Sequence, residues 1–191
     1  MKSVIHASRL DRHTIEARDA TAYVNLLAPS IRAETASEIA NRDSLMSDVS
    51  FAAEGFKLLP AGPRISGTIT ARPGTEAGRL ALHASFVVAY AFDPAGYTPI
   101  LSPSYLDVFM RHEVDFEMID GSGYPKADRG LWVTSTEYIV FSMACEASKK
   151  GFLAPAFSET DPGGTEATGF DEAAMYDVTK PIPQFTGGCR D

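Results

Sequence analysis

The chain lacks any run approaching the roughly 18 consecutive apolar residues that a membrane-spanning helix needs, so no membrane insertion is expected. It is also short of positive charge: 17 Lys and Arg stand against 25 Asp and Glu, a net charge of -8. That balance argues against broad binding to a phosphate backbone, and nucleic acid is not expected as a partner. Cysteine is scarce. Cys145 and Cys189, the only two, form neither a CxxC pair nor a metal framework and read as reduced thiols, the alternative being a disulfide that ties the tail to the body. The N-terminal "MKSVIHASRLDRHTIEARD" has no uninterrupted apolar core after its first lysine, which does not suit a secretory leader and points to the cytoplasm.

Catalytic signatures are missing as well. There is no G-x-S-x-G elbow, no glycine fingerprint follows a strand pattern, and "GGTEATG" lacks the lysine of a phosphate-binding loop. Cys145, placed by the pattern in mid-helix, reads as a small core residue rather than a nucleophile. The balance is against an enzyme, and no cofactor is expected.

What is present suits one α+β core with extensions: 191 residues, of which 45% are hydrophobic, would be poorly buried as two separate cores. The division expected is an N-terminal extension over 1–48, a core over 49–159 and an irregular tail over 160–191. Residues 19–42 read as two short helices, because Pro29 disrupts a helix interior but is welcome in a first turn. His6 and His13 fall in a loose N-terminus.

From Val49 the period changes to two. Val49, Phe51 and Ala53 share one phase and Phe56 and Leu58 the other, so Glu54-Gly55 reads as a bulge in a first strand. "PRISGTITAR" is a second, with Ile65, Ile69 and Ala71 on one face and Arg64, Ser66, Thr68, Thr70 and Arg72 on the other. After "PGTEAG", residues 80–92 are apolar at every even position, and Val87, Ala89 and Ala91 make the second half apolar on both faces. This strand is expected inside an antiparallel sheet, with Phe86, Val87, Val88, Tyr90 and Phe92 as core or oligomer face. At about 3.3 Å per residue it spans about 40 Å, more than one helix covers, which leaves room for an apolar groove or a self-association surface. Alternation resumes from Leu106 to Met118 as the fourth strand. "TSTEYIVFSMACEASKKG" then reads as one long covering helix, with capping-box spacing at Thr134 and Glu137 and Lys149, Lys150 and Gly151 at its end.

Among titratable groups, Glu113, Asp115 and Glu117 share one strand face with His112 on the other. Such a row could hold a hard cation, but the reading preferred is a solvated face without metal. His83 lies beside Ser85 on the less apolar face of the long strand. In "GFLAPAF" Gly151 ends the helix and Pro155 prevents its resumption, so Phe152, Leu153 and Phe157 are candidates for binding other polypeptide; closing the core is the alternative.

"GLWVTSTEYIVFSMACEASKKGFLAPAF", Gly130 to Phe157, with the strands before it, resembles the SecB-type protein-export chaperones and the SecB-like chaperones of toxin-antitoxin systems. Leu131, Trp132 and Glu137 fit, as do Phe152, Leu153 and Pro155; the family's Pro-Tyr and Arg before that Glu are Val133, Thr134 and Thr136 here. The resemblance spans roughly Val49 to Phe157 and implies holding of unfolded polypeptide by a homo-oligomer, with no reaction. A structural or assembly subunit of a virion or other multi-chain particle, using both extensions, is the competing reading, and a small-molecule-binding α+β domain the third.

Overall fold

Three of the alternating segments become strands in the register their apolar residues demand. The computed structural model describes every residue except 43–44, 98–99, 101, 160–164, 169–170, 184–185 and 190–191. β1 (Arg64–Pro73), β2 (Arg79–Ala91), β3 (Asp107–Ile119) and β4 (Gly130–Phe141) form an antiparallel sheet in the order β1-β2-β3-β4. Even residues of β2 lie opposite even residues of β3, Phe86 against His112 and Val88 against Met110, so both strands turn one apolar face the same way. The odd residues of β1 join that face, with Ile65 opposite Val88, Gly67 opposite Phe86 and Ile69 opposite Ala84. β2 is thus interior, and Phe86, Val88, Tyr90 and Phe92 are buried in the core.

The cover on this face comes from the N-terminus. Four short helices, α1 (Lys2–Ile5), α2 (Arg12–Ala17), α3 (Thr21–Val24) and α4 (Arg32–Asn41), are followed by α5 (Leu45–Asp48), with a π-helical turn at His6–Leu10. Asp11 caps α2 by accepting from the Thr14 amide at 2.8 Å. Pro29 opens a 3-10 turn ahead of α4, so 19–42 does divide at that proline. The expectation of a loose N-terminus is overturned: Val4, Ile5, Ile15, Tyr23 and Leu27 are core residues.

Two further expectations fail. Val49 to Leu58 is not a strand; it crosses the core as an irregular segment touching the body through isolated bridges, Ala52 to Leu153 and Leu58 to Phe92. Thr134 to Phe141, read as the first part of a long helix, belongs instead to the fourth strand of the sheet, and of the rest only α6 (Cys145–Lys149) is α-helical. The reason lies in composition: Val133, Thr134, Thr136, Tyr138, Ile139 and Val140 are β-branched or aromatic, and their packing along β3 outweighs one capping signal.

The opposite face carries the tail, which is less irregular than expected. It contains α7 (Glu172–Tyr176) and a ribbon of β5 (Thr165–Thr168) and β6 (Thr186–Gly188). Met175 and Ile182 are buried, and Tyr176 meets Phe109 and Phe141 edge-on. Ser85 donates to the Val178 carbonyl at 2.8 Å, and Arg111 to that of Lys180 at 2.9 Å. Cys145 and Cys189 form a disulfide that staples the tail beside α6, correcting the reading of both as free thiols. Among the described residues no helix is long and apolar enough to cross a membrane.

Candidate functional site

The N-terminal cover is locked to the sheet by a buried polar cluster. Arg9, 1% exposed, donates to Ser50 Oγ at 3.0 Å and to the Ser47 carbonyl, and its second Nη faces His112 Nε2 at 3.4 Å. Ser50 Oγ and the Tyr90 hydroxyl are 2.8 Å apart, and Thr136 Oγ1 lies 3.1 Å from His112 Nε2. Burial, followed by the Arg9 charge, holds the His112 pKa well below its ordinary value, so the ring is neutral. Burial likewise raises the Tyr90 phenol and lowers the Arg9 guanidinium. Because guanidinium only donates, the neutral ring accepts at Nε2, a contact that an imidazolium would turn into repulsion.

In front of this cluster runs a groove of about 620 Å³. Ile5, His6 and Leu10 form one wall, Ile65 and Ile69 of β1 the other, and Phe86 and Gly67 the floor. Phe86 in turn packs against His112 with ring centres 5.2 Å apart, which connects the floor to the Arg9 cluster. Gly67 is required: a Cβ there would come within 2.4 Å of the Phe86 Cβ. β1 is exposed along its whole length, and Ile65 and Ile69 are each 41% exposed although they project to the core side. Its outer backbone edge has no neighbouring strand among the described residues. Such an edge offers free amides and carbonyls to an incoming strand.

The residues singled out from sequence are distributed elsewhere. Leu153 is 0% exposed and belongs to the core, the alternative held open for it. Phe152 is partly buried, with the guanidinium groups of Arg18 and Arg42 at 5.6 and 5.2 Å from its ring centre. Phe157 packs on Phe56 and Tyr97. The three therefore do not form one exposed surface. Val87 is buried on the tail-covered face, away from Phe86, Val88, Tyr90 and Phe92. The carboxylate row is not simply solvated: Glu113 pairs with Arg111, Asp115 with His83 and Glu117 with Arg79, at 2.8, 2.9 and 2.7 Å. Those pairings point each carboxylate toward its own partner, and among the described residues no three His, Cys, Asp or Glu converge as metal ligands.

Ile5, Leu10, Gly67 and Arg9 were not singled out as site residues. One signal for the groove was nevertheless present, a lone glycine inside a strand pattern, which marks close backbone approach. For Arg9 no sequence signal exists, since a buried arginine looks like a surface one until its partners are known. Compared with family models, curated proteins and solved structures, the chain matches none.

Proposed function

We propose that the protein binds extended polypeptide by strand addition along β1, with apolar side chains of the bound segment entering the groove and no chemical step. The observation that carries this reading is a ten-residue edge strand, exposed throughout, alongside an apolar groove. The SecB-type resemblance points to the same activity, although Thr134 to Phe141, the first part of its helix, lie in β4 here. The Cys145–Cys189 disulfide favours an oxidising setting over the cytoplasm first expected.

The test is the double variant Ile65→Lys, Ile69→Lys, assayed with a permanently unfolded, carboxymethylated protein. Because both side chains are already half in solvent, the variant should melt within a few degrees of the parent while losing its ability to hold the unfolded protein in solution. Undiminished holding by the folded variant would remove β1 from the function.

A second reading, an assembly subunit, is favoured by the exposure of Thr134, Ser135, Thr136, Glu137 and Tyr138 on the far strand of the sheet. β1 of one copy laid along β4 of the next would extend the sheet head to tail. Solution mass separates the two: a fixed mass across concentration supports polypeptide binding, and open-ended growth supports assembly.

A further inference from the structure

β1 presents more than an apolar flank, and the rest of its pattern specifies what should lie beside it. On the face away from the groove its residues are Arg64, Ser66, Thr68, Thr70 and Arg72, opposite Ala89, Val87, Ser85, His83 and Ala81 of β2. The small or modest neighbours leave Arg64 and Arg72 without an ion pair among the described residues, in a chain whose net charge is -8. A strand added to β1 places its residues directly opposite these, on the same face, within reach of cross-strand pairing.

A second copy of β1 is a poor occupant. Antiparallel self-pairing centred on Thr68 would set Arg64 against Arg72 twice, and directly opposed like charges are destabilising. Resting on the reading of β1 as a strand-addition site, we infer that the occupant is an acidic-ended extended peptide: carboxylates at two positions eight residues apart, opposite Arg64 and Arg72, and apolar residues at the alternate positions between. Hydroxyl-bearing or small residues suit the places opposite Ser66, Thr68 and Thr70. The position opposite Gly67 takes a large side chain, because Gly67 lines the groove without putting a side chain of its own into it, and a neighbouring aromatic can occupy that place. The two carboxylates then select partner and register, while the groove supplies the apolar contact.

The experiment uses a fluorescent peptide, Glu-Val-Thr-Val-Thr-Phe-Thr-Val-Glu with Gly-Ser at each end, and a twin with both Glu replaced by Lys. Binding is read by anisotropy to the oxidised full chain, to the Arg64→Glu, Arg72→Glu variant and to the Ile65→Lys, Ile69→Lys variant, each shown folded by circular dichroism. The Glu peptide should bind about tenfold more tightly than the Lys peptide to the parent. That preference should reverse in the arginine variant and shrink at high salt. Equal affinity of the two peptides, or an unreversed preference, would overturn the charge assignment while leaving strand addition intact. Failure of both peptides to bind the parent, or equal binding to the isoleucine variant, would overturn strand addition itself. A mass that rises with concentration in the parent and is abolished in the isoleucine variant would put a second copy on β1 and also overturn the assignment.

Discussion

Phe86 stands where the sheet, the groove and the buried polar cluster meet. Its burial on an interior strand predicts that Phe86→Ala costs about 3 to 5 kcal/mol in a reversible melt, the range for removing a core aromatic. A cost below about 1 kcal/mol would mean the ring contributes to the groove floor but not to the core. His112 beside it makes stability depend on pH with a definite sign. Its folded-state pKa lies well below the ordinary 6.5. As pH falls through about 6.5 the unfolded chain therefore takes up a proton that the folded chain refuses. The contribution of the neutral ring is fully present above that pH and is lost progressively below it. Urea titrations near pH 7.5 and 5.5 should show the parent weakening at the lower pH, and His112→Gln weakening less. Equal losses in the two proteins would remove His112 as the cause.

Among the elements, β4 shows why part of the fold was hidden from sequence reading. The pairing of β3 with β4 shifts between Asp115 and Phe116, leaving Thr134 as an extra residue. Leu131 and Val133 therefore face the core in one phase and Tyr138 and Val140 in the other, so no single period-two pattern runs through the strand. Tyr138, Phe141 and Cys145 happen to repeat at helical spacing. β1, β2 and most of β3 have no such break, and their alternation was legible with nearly correct ends. The N-terminal cover was not: its apolar residues are few, and Arg9, Thr14 and Ser50 become core residues only through contacts distant in sequence. For the site, the faces of β1 could be read, but its exposure could not, because exposure depends on which strands and helices stop short of it.

The tail yields an element-scale prediction. The disulfide closes a sequence separation of 44 residues, for which loss of chain entropy alone suggests about 4 kcal/mol in the chain-entropy account. Cys189 is exposed and Cys145 buried. Reduction, or Cys145→Ser with Cys189→Ser, should speed amide exchange over residues 172–182 and lower the melting temperature, while the four-stranded sheet stays protected. Unchanged exchange in the tail would show that Tyr176, Met175 and Ile182 hold it without the covalent link.

At the scale of the whole molecule, the two ends of the chain cover the two faces of a sheet built from its middle. The cover from the first end has little to bury against by itself: the Ala28 amide donates to the Leu131 carbonyl, Ala53 to Leu153, and Arg9 reaches His112. Its apolar residues are satisfied by strands that come later in the sequence. On a ribosome this becomes a matter of time. At typical rates of elongation the stretch from Leu58 to Leu153 takes on the order of 5 to 20 s to synthesise. For much of that interval Val4, Ile5 and Ile15 have been made while the sheet they pack on is still incomplete. For a protein proposed to hold other chains, the consequence is that helices of its own lack a packing partner while it is being made.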